Sequence, residues 1–226
     1  MNKQEIDSLY EKGMDLFHNN KYKEAIICYT KLIQIDKNDC FFYNGIGMCF
    51  KELKQYKKAI KYYDMAIDLN IANDCIYTNK GFALFEMEKY KEAIELHRMA
   101  LKYNSKNAEA YNNLGLALYH LKQYEEGMKN IDMAIDLQIK DGNAFYNKAM
   151  CFEALKKFDE AIIYYHKYLK MYPNDGDTCY DLALNYIHTG EETKAKKYLK
   201  KALEIEPKKL KIAQKEKLFQ SILPCL

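Results

Sequence analysis

Six small residues, Ala25, Ala59, Ala93, Gly127, Ala161 and Ala195, follow one another at intervals of 34 residues with no insertion between them. A chain that repeats itself this way builds no single central core. It stacks similar supersecondary units, each burying its apolar face against the next. The length of 226 residues therefore says little about domain count. A hydrophobic share of 49% and only three prolines suit almost continuous helix and give strands little support.

Units drawn at 6–39, 40–73, 74–107, 108–141, 142–175 and 176–209 share one frame. Position 8 is Gly13, Gly47, Gly81, Gly115, Ala149 and Ala183, small residues where two helices pass closely. Position 4 (Leu9, Tyr43, Tyr77, Tyr111, Phe145, Cys179) and position 11 (Leu16, Phe50, Leu84, Leu118, Phe152, Tyr186) lie two turns apart on one face of a first helix. The second helix opens with Tyr22, Tyr56, Tyr90, Tyr124 and Phe158, and only the sixth unit departs, with Glu192. Four residues after its small position it carries Tyr29, Tyr63, His97, Ile131, Tyr165 and Leu199. The turns inside the units are short and polar. Between units, Pro173 and Pro207 alternate with Asn, Asp and Gly stops such as Asp39, Asn70, Asn73, Asn107 and Asp141-Gly142, which suit helix ends and N-caps.

A period of 34 residues built from two helices resembles the tetratricopeptide repeat family over residues 6 to 209. The resemblance implies an all-α fold, a right-handed superhelical solenoid of antiparallel helix pairs, whose first helices line a concave groove that holds an extended peptide or a partner helix. It implies a non-enzymatic protein-binding module, an adaptor or scaffold. A structural subunit or repeat portion of a larger assembly, associating through its ends or convex face, is the other reading.

In that frame the groove residues fall between the core positions of the first helix. Position 9 is apolar throughout: Met14, Met48, Phe82, Leu116, Met150 and Leu184. Position 5 holds Tyr10, Asn44, Thr78, Asn112, Tyr146 and Tyr180. Methionines and aromatics on a concave face make an adaptable surface for apolar ligand side chains. The same stripe is equally consistent with core that continues under the next repeat. Position 6 reads Asn79, Asn113 and Asn147, then Asp181, with Glu11 and Gly45 in the first two units. Some superhelical members of the family use asparagines here as a ladder along a peptide backbone, since an amide both donates and accepts. Solvated amides are the plainer reading.

Other chemistries find less support. The clamp by which co-chaperones of the family grip a terminal carboxylate needs cations, yet its positions hold Tyr10, Met14, Gly45, Cys75 and Asn79, so charge-assisted pairing is missing. The basic and acidic totals, 35 and 32, select neither nucleic acid nor an anionic membrane. No stretch reads as a membrane span or signal peptide, and seven cysteines without a CxxC pair suit free thiols; the expected location is cytoplasmic. His18, His120 and His188 share position 13 in separate units, where a helix C-terminus favours them without a catalytic role. No cofactor, metal site or enzymatic activity is expected.

After Pro207, lysines alternate with Leu210, Ile212, Ala213, Leu218, Phe219, Ile222 and Leu223, which predicts a capping helix over 210–223 with a basic outer face. The ending Ile222-Leu223-Pro224-Cys225-Leu226 is apolar and is expected to pack on the cap, to mediate self-association or to mark a cut.

Overall fold

The structure is a computed structural model that describes residues 3–69, 73–139, 142–220 and 222–223. Helices alternate along it as first and second members of pairs: α1 (Lys3–His18) and α2 (Tyr22–Ile35), α3 (Cys40–Glu52) and α4 (Tyr56–Asp68), α5 (Asp74–Phe85) and α6 (Tyr90–Tyr103). Next come α7 (Ala108–His120) and α8 (Tyr124–Asp136), α9 (Asn143–Ala154) and α10 (Phe158–Met171), α11 (Gly176–His188) and α12 (Glu192–Ile205). No strand occurs among the described residues, and the fold is all-α, as the composition indicates. By contacts the chain forms two compact units, Met1–Leu121 and Lys122–Leu226. Within each, every helix packs chiefly on its neighbours in sequence, and in the first unit the first helices also meet one another, α1 with α3, α3 with α5 and α5 with α7.

The small positions do what the spacing predicts. Ala25, Ala59, Ala93, Ala161 and Ala195 are fully buried. At position 8, a Cβ on Gly47 would lie 2.5 Å from the ring of Tyr63, and one on Gly81 would lie 2.6 Å from His97. The first helix therefore lies directly on the ring that the second helix sends inward. Tyr29, Tyr63, His97, Ile131, Tyr165 and Leu199 are all within 1% of complete burial. Full burial of an aliphatic side chain such as Leu199 or Ile131 is worth about 1.5–3 kcal/mol.

Helix ends follow one scheme. Position 15 is left-handed in every unit: Asn20, Lys54, Glu88, Lys122, Lys156 and Gly190 all have positive φ. The amide of position 16 donates back to the carbonyl of position 11, in Lys21 to Leu16, Gln55 to Phe50, Lys89 to Leu84, Lys157 to Phe152 and Glu191 to Tyr186. This is the Schellman closure, which reverses the chain in the fewest residues while satisfying carbonyls at the helix end. At the other end, Asp39, Asn73, Asn107 and Asp175 each accept a backbone N–H of the helix they precede. The stops expected at Asn70 and Asp141 lie outside the described residues; Gly142 precedes α9 without a side-chain cap.

Contacts between repeats also recur. The ring that opens a second helix meets position 13 of the following repeat: Tyr90 stacks on His120 with centroids 4.7 Å apart, Phe158 on His188 at 4.2 Å, and the Tyr56 hydroxyl donates to Glu86 at 2.8 Å. His120 and His188 thus act as inter-repeat packing plates. An ion pair links position 25 of one repeat to position 7 of the next, Asp64 with Lys80 in the first unit and Asp132 with Lys148 in the second.

The C-terminal segment is less regular than one helix over 210–223. It runs through a 3-10 turn at Pro207–Lys209, a four-residue helix α13 (Leu210–Ala213) and a second 3-10 turn at Lys217–Phe219. Between them Gln214-Lys215-Glu216 offers nothing apolar to bury, so the helix stops there. Phe219 and Ile222 then return to the core of the second unit, both fully buried. Residues 224 to 226 lie outside the described residues.

Candidate binding face of the first helices

In the first unit the residues of positions 5, 6 and 9 lie side by side on successive first helices. Asn79 donates its amide to Asn44 Oδ1 at 3.3 Å, and Asn44 Nδ2 lies 3.5 Å from Met48 Sδ. Met48, Phe82 and Leu116 are half-buried, and the Lys51 ammonium rests 5.3 Å from the centre of the Phe82 ring. Asn112 is nearly closed off, at 6% exposure. Asn113 is half-buried, but its Nδ2 is inaccessible and has no hydrogen-bond acceptor. At the N-terminal end of this face, between α1 and α3, a cavity of about 320 Å³ is lined by Ile6, Asp7, Tyr10, Asp39, Phe41 and Phe42.

The second unit continues the positions with a different polarity. Met150 and Leu184 are half-buried, and Asn147 is 6% exposed. The Tyr146 ring packs on Tyr165 and Tyr168, and its hydroxyl donates to Asp181 Oδ2 at 2.9 Å. Glu153 Oε2 accepts from the Tyr165 hydroxyl at 2.9 Å and from Asn185 Nδ2 at 2.8 Å. Burial pushes the Asp181 carboxyl up to about 7; the Tyr146 hydrogen bond opposes this, Glu153 and Asp177 add to it, and Lys209 opposes it. Tyr180 is engaged from the C-terminal segment, with the Phe219 ring edge-on at 5.2 Å and the Lys209 ammonium 5.7 Å from its centre.

The predicted residues are thus adjacent within each unit but more enclosed than a fully open ladder. Asn79 is hydrogen-bonded to the preceding repeat, and Asn147 is buried. Two features escaped the sequence reading: the carboxylates Glu153 and Asp181 beside three polar partners, and the aromatic cavity with Asp7 and Asp39. Asp181 was the visible signal for the first, since it replaces an amide in an otherwise asparagine line.

Family models of the tetratricopeptide repeat match residues 6–39, 41–71, 107–139, 142–175 and 176–209, and a further TPR model matches 81–122. The chain belongs to the tetratricopeptide repeat family. Three of the matched segments, 6–39, 142–175 and 176–209, have the same bounds as the 34-residue repeats, and this tetratricopeptide array is a module for protein–protein interaction or scaffolding. Among solved structures it is similar to the Cut9-Hcn1 hetero-tetramer of the APC/C, at TM-score 0.82 and 19% identity over 97% of this chain. The chain spans only 42% of that one. It is also similar to YrrB, described as a TPR protein with an unusual peptide-binding site, at TM-score 0.65 and 25% identity, covering 83% of this chain and 98% of that one. A third is Pseudomonas aeruginosa pilF, at TM-score 0.81 and 16% identity, covering 92% and 95%. Comparison with curated proteins gives no match. Among the described residues no helix of this tetratricopeptide array is long and apolar enough to cross a membrane.

Proposed function

We propose that this tetratricopeptide array is a non-enzymatic adaptor that holds a peptide or a partner helix against its first helices. The observation that carries the reading is the apolar line at position 9, half-buried in both units and bordered by amide or phenol groups at positions 5 and 6. Side chains of this kind gain from a ligand's apolar groups, because each is already partly desolvated and still has surface to lose. Asn113 adds a polar anchor: a small rotation of its amide toward a ligand carbonyl would give its unpartnered Nδ2 an acceptor. The likeness to YrrB, a TPR protein with an unusual peptide-binding site, supports the same reading.

The test is site-specific photo-cross-linking in the native cell. A benzophenone side chain is placed at Met48 or Met150 on the first helices, and at Ile27 or Ile163, which are exposed on second helices. Adducts to a common partner from Met48 and Met150 are expected. Adducts confined to Ile27 and Ile163 would instead assign the array to assembly through its other face.

A further inference from the structure

The cavity between α1 and α3 combines two chemistries that a single kind of side chain satisfies together. Its walls are the rings of Tyr10, Phe41 and Phe42 with Ile6, and its polar groups are the carboxylates of Asp7 and Asp39. Phe41 is 45% exposed, so an apolar surface is open there, and Asp7 is exposed beside it. Neither carboxylate belongs to an ion pair among the described residues. Asp39 uses Oδ1 to cap α3 through the Phe41 amide at 2.8 Å. The Tyr10 ring is held in place by contacts to Tyr29 and Phe42, each with centroids 5.9 Å away. Its phenol is raised above the ordinary range by burial first and then by the Asp39 carboxylate, which places that charge near the ring.

The surrounding face has the same sign. In this unit Asp7, Glu11 and Glu109 border the apolar line, and Lys51 already lies over Phe82; Lys3, one turn before Asp7, and Lys37, two residues before Asp39, are exposed and form no ion pair with either carboxylate among the described residues. An anionic ligand group meets repulsion at this end. A cation on an apolar stem meets complementary charge, ring faces for its planar head and a wall for its methylenes.

We infer that the cavity of Ile6, Tyr10, Phe41 and Phe42 is the seat for an arginine side chain of the bound polypeptide, with its guanidinium between Asp7 and Asp39. The inference rests on the peptide-binding reading in taking this face as the ligand's path. Arginine fits better than lysine because a flat, weakly hydrated guanidinium stacks on rings and forms paired hydrogen bonds with carboxylates, whereas an ammonium keeps its water. The consequence for recognition is directional: the ligand is anchored by a cation at the N-terminal end of the array.

The pocket is tested by itself, with the full chain and three small probes: N-acetyl-arginine methylamide, its citrulline counterpart, which is nearly isosteric and uncharged, and N-acetyl-glutamate methylamide. NMR titration follows the Ile6 methyl and the Tyr10 and Phe42 ring signals. The arginine probe is expected to give saturable shifts, with the citrulline probe about fivefold weaker and the glutamate probe weaker again. The double variant Asp7→Asn, Asp39→Asn should erase the arginine–citrulline difference. Asparagine caps a helix as well as aspartate does, so the fold is kept. Equal affinity for arginine and citrulline would assign the cavity to a neutral anchor and overturn the inference, as would no saturable shift with the arginine probe up to about 50 mM. Because the probes report the pocket and the cross-links report the face, either conclusion can fail without the other.

Discussion

At the scale of single residues, the buried polar groups decide how the molecule responds to pH. His97 occupies a position that elsewhere holds tyrosine, isoleucine or leucine, and neither of its ring nitrogens has a partner. Burial holds the imidazole neutral, with its pKa pushed down to about 4. The unfolded chain takes up this proton near pH 6.5, so acid favours unfolding from that pH downward, by as much as about 1.4 kcal/mol per pH unit until pH 4 is reached. Urea unfolding at pH 7 and pH 5 should show this loss, and His97→Leu should remove the His97 share of it, leaving the share of His120 and His166, which burial also holds below the ordinary range, while staying at least as stable at pH 7, since no unpaired polar atom remains. Asp181 has the opposite sign. Its folded pKa is raised, so the folded state holds the proton more tightly, and stability falls as pH rises from about 4 to about 7. Asp181→Asn keeps an acceptor for Tyr146 and should stabilise the chain by about 1–2 kcal/mol at pH 8 in the same assay, with the gain vanishing toward pH 4.

At the scale of helices and turns, the recurrent left-handed residue is the clearest source of stored strain. Five of the six units place a side chain where glycine is favoured, and only the sixth has Gly190. Replacing Lys54 or Glu88 by glycine should raise stability by about 1 kcal/mol, seen as a shift of a few degrees in thermal melting. Gly190→Ala should lower it by a similar amount through backbone conformation alone, since no atom lies within 4 Å of the added methyl. Gly47→Ala is a different case. The methyl would meet the fully buried Tyr63 ring at 2.5 Å, an overpacking that costs about 1–3 kcal/mol. The sequence made the glycine contact legible, because excluded volume leaves a small residue at every repeat. It left the left-handed turn hidden, because lysine, glutamate and asparagine at that position look like ordinary polar loop residues.

At the scale of the whole molecule, the period of the core positions was enough to assign helix count, pairing and family, since those residues answer only to packing. The binding face was legible as a set of positions and not as a set of environments. How far Asn112 and Asn147 are enclosed depends on which residue the neighbouring repeat presents, as the Asn79 to Asn44 hydrogen bond illustrates. The irregular cap escaped for a related reason: its lysine-rich middle and apolar ends match a helical period, but burial of Phe219 and Ile222 takes precedence over continuing the helix. The charge pattern predicts a further property of the intact chain. Acidic groups border the apolar line in both units, so association with a basic partner should weaken steeply between 50 and 500 mM salt, roughly as the Debye length shrinks; isothermal titration at several ionic strengths measures this.

The ion pairs Asp64–Lys80 and Asp132–Lys148 fall two repeats apart, whereas the repeats beginning at 40 and 108 carry Ile46 and Leu114 where the lysine would be. For this ion pair the unit of interchange is therefore a block of two repeats. Excising residues 70–137 would bring Lys148 into register with Asp64 and leave a matched seam. Removing only residues 70–103 would set Leu114 against that aspartate, which is half-exposed and stays solvated, so the seam would lose an ion pair worth at most about 1 kcal/mol. An engineer shortening or lengthening this chain should cut in even steps.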